Sequence, residues 1–150
     1  MEPDQLEVSK PIGMIFVAAS IIFNIAVSFV YLATKFSNLI LLSAAGATVV
    51  FLILPFTITL WGFVTEDVET KWIVSIVIIL FYLVLELLLD YILMIPFREM
   101  LALHVFYIIA LYAAVGNMIG ISFRINRRWG FVVLITFFIL LGCLTYLYLF

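Results

Sequence analysis

The sequence predicts an all-α integral membrane protein, folded as a five-transmembrane-helix antiparallel bundle with no soluble domain. Three observations carry that prediction. The 150 residues are 68% hydrophobic and only 11% charged, whereas a soluble domain carries about 45–50% apolar and about 25% charged residues. The apolar residues fall into five blocks, each of about 20 residues or more, the length a helix needs to cross a bilayer. The charged residues fall almost wholly between those blocks.

The first block, Ile12–Ala33, follows an acidic leader containing Glu2, Asp4 and Glu7. A secretory signal has a basic leader and an apolar core of about 7–15 residues, so this block reads as a true first span. The second block, Leu39–Val64, contains Pro55. Proline inside a helix removes one hydrogen bond and crowds the carbonyl four residues back, here that of Phe51, so a kink is expected near Pro55. Thr57 and Thr59 stand ready to satisfy the disturbed backbone.

The third block, Trp72–Ile95, carries Glu86 and Asp90. At about 1.5 Å per residue, Glu86 lies within roughly 5 Å of the block's midpoint and Asp90 one turn further on. An ionisable group at that depth costs about 2.5–3.5 kcal/mol on insertion scales, and normally faces protein or a water-filled cavity. Pro96 disfavours helix at Ile95 and supports a tight turn into the fourth block, Leu101–Phe123. There Ala102, Ala113, Gly116 and Gly120 form a small-residue face that includes a G-x-x-x-G match, a helix-packing signal. His104 and Tyr107 lie on a different face. The fifth block, Trp129–Leu149, holds Cys143, the sole cysteine, which excludes an internal disulfide or a thiolate-rich metal site.

The breaks are Thr34–Asn38, Thr65–Lys71, Pro96–Met100 and Arg124–Arg128. All are short, so neighbouring spans run antiparallel and any site lies within the bundle or at its rim. One face gathers Lys10, Lys71, Arg124, Arg127 and Arg128, the other Lys35 and Arg98. The positive-inside rule then puts the N-terminus in the cytoplasm and the C-terminus outside. Trp61, Trp72 and Trp129 fall on the proposed cytoplasmic rim, and Tyr31, Tyr91, Tyr146 and Tyr148 near the other, as interfacial belts. The lean loops fit a multi-pass protein of a prokaryotic plasma membrane.

Helical projection sorts the polar residues. Ser75, Tyr82, Glu86 and Asp90 share one sector of roughly 80°, and Ser20, Asn24, Ser28, Tyr31 and Lys35 share another. Lipid-facing surfaces do not collect polar residues in this way, so both stripes face inward, as functional groups or as interhelical glue. Turning the chain at Pro96 brings His104 to the depth of Asp90 and lets Arg98 reach back to it. The expected proton- or cation-binding residues are Glu86 and Asp90, supported by Arg98, His104, Tyr82, Tyr107 and Asn24. Two carboxylates four residues apart in low dielectric should not both ionise, which suits reversible proton binding. The competing arrangement is an Asp90–Arg98 ion pair with a neutral Glu86 hydrogen-bonded to a tyrosine. Arg124, Arg127 and Arg128, beside Trp129, suit either an anionic lipid headgroup or simple anchoring.

Other chemistries find little support. The one basic cluster is squeezed between two spans, which argues against nucleic acid. A single histidine cannot supply bis-histidine haem ligation, no H-E-x-x-H motif marks a metal, and no G-x-S-x-G motif marks a hydrolase. No cofactor is expected. The function expected is a small transporter or channel, oligomeric, with its carboxylate site within the bilayer. The alternatives are an accessory subunit of a larger membrane complex and, further off, an intramembrane enzyme modifying a lipid.

Overall fold

The computed structural model describes residues 8–92 and 100–149. Among them every regular element is helical: α1 (Lys10–Lys35), α2 (Leu39–Phe51), α3 (Ile53–Thr65), α4 (Thr70–Glu86), a π-helical turn (Leu87–Ile92), α5 (Leu101–Ile125) and α6 (Arg127–Leu149). Five helices, with α2 and α3 counted as one, are long and apolar enough to cross a membrane. The chain is a multi-pass membrane protein. Five such helices are also the number expected from the sequence, while the expected end of the third span at Ile95 and the turn at Pro96 lie outside the described residues.

Local chemistry explains where the helices start and stop. Pro11 sits in the first turn of α1, where a backbone donor has no intrahelical acceptor to lose. The same helix end is closed from a distance: the backbone N–H and hydroxyl of Ser9 donate to the two carboxylate oxygens of Glu66, at 2.6 and 2.8 Å. A carboxylate at a helix N-terminus also meets the positive end of its dipole. Lys35 occupies the last turn of α1, and the side chain of Asn38 caps α2 by accepting from the N–H of Leu41 at 3.0 Å.

The second span is interrupted at Leu52, one residue after the carbonyl that Pro55 leaves without its donor. The hydroxyls of Thr57 and Thr59 donate to the carbonyls of Ile53 and Pro55 at 2.6 and 2.9 Å. The proline's effect is thus a break three residues upstream, with both threonines bonded back to the helix.

The helices close into a ring. α1 packs on α2, α3, α5 and α6, and α4 fits between α3 and α5. Toward the N-terminal end of α1 the interior is filled by rings: Phe16 meets Phe56 edge-on at 5.6 Å and stacks on Phe63 at 6.4 Å, with all three fully buried. Two glycines permit the closest approaches there. A β-carbon at Gly62 would lie 2.6 Å from Cδ1 of Ile12, and one at Gly130 would lie 2.7 Å from the backbone Cα of Phe123. Gly116 and Gly120 differ, since β-carbons at these positions would meet nothing within 4 Å. The G-x-x-x-G face therefore makes no close approach among the described residues.

Candidate functional site

Glu86 closes α4 and is 8% exposed. Its Oε2 accepts from the hydroxyl of Tyr107 on α5 and from that of Tyr82, one turn earlier on α4, at 3.3 Å. The two phenol oxygens stand 2.9 Å apart. Three oxygens from two helices thus converge on one buried point. α4 and α5 pack against each other, which sets Glu86 at the end of α4 beside Tyr107 in the second turn of α5. Tyr82 is held in place by packing, since its ring meets Phe23 of α1 edge-on at 5.7 Å and tilts against Tyr107 at 5.5 Å.

Such a cluster handles either charge state of the carboxyl. A phenol hydroxyl both donates and accepts. Ionised, Glu86 takes O–H bonds from both tyrosines; protonated, it can turn its own O–H toward a tyrosine oxygen. Charge-assisted bonds of this kind offset part of the cost of an anion in low dielectric.

Beside the cluster lies a cavity of about 300 Å³, bordered by Glu86, Tyr82, His104 and Tyr107, by Tyr31 of α1 and Tyr112 of α5, and by aliphatic residues of α1, α2, α5 and α6. Nδ1 of His104 is buried without a hydrogen-bond partner among the described residues. No three His, Cys, Asp or Glu side chains among the described residues come together as a metal ion would need.

The remaining expected site residues are distributed as follows. Asn24 lies elsewhere: its Nδ2 donates to Oγ1 of Thr136 at 2.9 Å and weakly to the carbonyl of Val133 at 3.4 Å, both on α6. Ser20 and Ser28, above and below it, donate to carbonyls of their own helix at 2.9 and 2.8 Å. Within this stripe Asn24 bonds across to α6 while Ser20 and Ser28 bond within α1, and its continuation at Tyr31 reaches the cavity. Lys35 ends the stripe over the ring of Tyr146, 5.1 Å from the centroid. Arg98 lies outside the described residues, and of Asp90 only the backbone is described. That backbone belongs to the π-helical turn, so the α-helical step used to project Asp90 onto the face of Glu86 ends at Glu86 itself. Single π-turns inside helices are frequent at functional sites.

At the opposite end of the bundle, Arg124 stands over the ring of Trp72 at 5.7 Å, with Lys71 at 5.1 Å from the same ring. Arg127 stands 5.9 Å from the ring of Phe131, and the N–H of Arg128 is capped by the side chain of Asn126 at 2.9 Å. The arginine cluster thus flanks aromatic rings at a helix junction, the arrangement expected at a membrane rim.

Two cavity residues escaped the sequence reading. Tyr31 counted as belt and glue, and Tyr112 went unnoticed. A signal for Tyr112 existed: His104, Ile108 and Tyr112 recur every four residues and so share one helix face. No family model matches the chain, and no curated protein or solved structure matches it. The functional argument therefore rests on the site itself.

Proposed function

We propose that this protein is a small membrane transporter or channel in which Glu86 is the proton- or cation-binding group. The observation that carries the reading is the buried carboxyl of Glu86, bonded by two tyrosine hydroxyls and bordering a cavity inside a membrane span. Buried ionisable groups are rare in spans because they are costly, and hydroxyl partners able to follow both charge states suit reversible loading. Asp90 and Arg98, next along the chain, extend the site in this reading, and His104 borders it.

The orientation proposed is N-terminus in the cytoplasm and C-terminus outside, from the five basic residues on one face against two on the other. Glu86 then lies in the outer half of the bundle, and Arg124, Arg127 and Arg128 meet the anionic inner leaflet. The membrane proposed is a prokaryotic plasma membrane. The deciding experiment is reconstitution into liposomes with a trapped pH dye. Glu86→Gln should abolish proton-coupled flux while leaving the extracted protein folded; unchanged flux in that variant sinks the reading.

A second reading draws on a separate observation. The face of α5 bearing Gly116 and Gly120 has open space where a side chain would stand, which suits a helix from another copy or from a larger membrane complex. Extraction in mild detergent, followed by sizing and mass spectrometry, separates the two cases. Stoichiometric foreign subunits make the chain an accessory component, whereas a homo-oligomer or monomer makes it autonomous.

A further inference from the structure

A carrier and a channel can share an ion-binding carboxyl; they differ in how it meets the two faces of the membrane. A channel holds a polar or hydrated path from face to face, whereas a carrier presents its site to one face at a time. The depth of the cavity separates the two. At one end of the bundle, Tyr31 is four residues from the end of α1, His104 three from the start of α5 and Leu144 five from the end of α6. The cavity wall therefore comes within about 5–8 Å of the end that carries Lys35, at 1.5 Å per residue. Toward the arginine end, Glu86 stands 15 residues from Lys71 and Tyr112 stands 12 from Arg124. Those distances are about 18–23 Å.

The longer stretch is filled. Leu83, Ile79 and Ile76 of α4 and Met118 and Ile121 of α5 are all fully buried there, as are the rings around Phe16. Among the described residues its polar groups form no continuous path. The hydroxyls of Ser20 and Thr59 donate to carbonyls of their own helices at 2.9 Å, and that of Thr136 does the same at 2.6 Å. Oδ1 of Asn24 and Oγ of Ser122 are buried without hydrogen-bond partners among the described residues. The close approach of Gly13 to the side chain of Ile125 sets the register of α1 against α5. It leaves Asn24 and Ser122 about 12 Å apart along the bundle, too far for one water to join them. Depth and packing are the same whichever charge Glu86 carries and whatever further partner holds it.

We infer that in this conformation Glu86 exchanges its proton or cation only with the membrane face at the Lys35 end, so that the protein is an alternating-access carrier and not an open channel. This rests on the reading of Glu86 as the proton- or cation-binding group, and it names the side from which that group is loaded. In the orientation proposed above, that side is the outside. Release on the arginine side then requires a second conformation, in which the packed half parts around the site.

The test is one-sided thiol labelling of the full chain in right-side-out and inside-out membrane vesicles. Cys143 is replaced by Ser, and the reagent is a charged, membrane-impermeant methanethiosulfonate. Two exposed positions mark the faces whichever way the protein inserts: Leu39→Cys at the Lys35 end and Glu69→Cys at the arginine end. Ile108→Cys reports on the cavity, which Ile108 borders without joining the Glu86 cluster, and Ile79→Cys reports on the packed stretch. Val27→Cys, on the α1 wall, takes over if Ile108→Cys misfolds. A minor conformation is populated at about 10% or less, so Ile108→Cys should react about tenfold or more faster from the face that labels Leu39→Cys. Ile79→Cys should react from neither face.

Equal rates from the two faces, or faster reaction from the face that labels Glu69→Cys, would overturn the one-sided site. Reaction of Ile79→Cys from the arginine face would reveal a path through the packed stretch and overturn the carrier. Labelling is independent of flux, so the two readings fail separately. If flux is unchanged in Glu86→Gln while labelling stays one-sided, the role of Glu86 falls and the one-sided cavity stands. If Glu86→Gln abolishes flux while labelling proceeds from both faces, the carboxylate site stands and the carrier falls.

Discussion

At the level of Phe16 the five spans enclose a filled interior, where Phe56 and Phe63 of the second span meet Phe16 of the first and Gly62 brings α3 directly onto Ile12. Further along the same helices, at the level of Glu86, they stand around a cavity of about 300 Å³ bordered by a carboxyl and several rings. The difference separates two jobs. Lipid tails are as apolar as a protein core, so helices in a bilayer gain little from hydrophobic burial and must be joined by close packing and interhelical hydrogen bonds. The packed half supplies the first, and the Asn24–Thr136 bond between α1 and α6 supplies the second. The hollow half can then forgo dense packing and hold polar groups whose full satisfaction is not needed for the fold.

The sharpest way to break this comparison is to exchange the two kinds of residue. Glu86→Gln should reduce proton-coupled flux in liposomes to the protein-free background with little change in unfolding. Phe16→Ala should do the reverse. It removes a fully buried ring from the packed half and should lower stability by about 3 kcal/mol. That is the low part of the range for deleting large core side chains, because in lipid the packing and cavity terms dominate. Unfolding in mixed detergent micelles reads the loss. If Glu86→Gln unfolds the protein and Phe16→Ala does not, the division of labour between the halves is wrong.

A smaller effect probes the hairpin of α5 and α6. Gly130→Ala puts a methyl group 2.7 Å from the Cα of Phe123, where backbone cannot yield as a flexible side chain would. The expected loss is about 1–3 kcal/mol in the same unfolding measurement, the usual cost of overpacking. Gly116→Ala is the matched control, since its added carbon meets nothing. It should leave the monomer's stability unchanged; a comparable loss there would show that the G-x-x-x-G face is covered by another subunit.

Much of this was legible in the sequence, because bilayer length and burial cost act on composition directly. The five spans, the disturbance caused by Pro55 and the meeting of Glu86 with Tyr82 and Tyr107 all follow from block lengths, proline chemistry and helical phase. The cavity was less legible. A cavity is a volume left over by several helices, and no local pattern states how far apart they settle. Tyr31 illustrates the limit, since a tyrosine near the end of a span reads as an interfacial anchor until the neighbouring helices are placed. Phase arithmetic also failed beyond Glu86, because a π-helical turn steps through a different angle from the α-helix it interrupts, and nothing in Leu87–Ile92 announces the change.

The mildest prediction concerns the glue. Asn24 is fully buried on α1, and its Nδ2 donates to the hydroxyl of Thr136, itself bonded to the carbonyl of Val133 at 2.6 Å. Interhelical hydrogen bonds in membranes contribute about 0.6 kcal/mol on average, since the unfolded chain in lipid also finds partners. Asn24→Leu, Thr136→Val and the double variant close a cycle whose coupling energy should fall near that value. Oδ1 of Asn24 has no hydrogen-bond partner among the described residues, so the single change at Asn24 should cost less than a fully satisfied amide would. Thr136→Val should also leave proton-coupled flux as it is in the wild type, because Thr136 is not among the residues bordering the cavity. A coupling well above about 1.5 kcal/mol, or a flux that follows Thr136, would mean that the first-span stripe acts as one unit from Asn24 to Tyr31, and that the boundary between the packed and hollow halves lies deeper than the rings of Phe16 and Phe56.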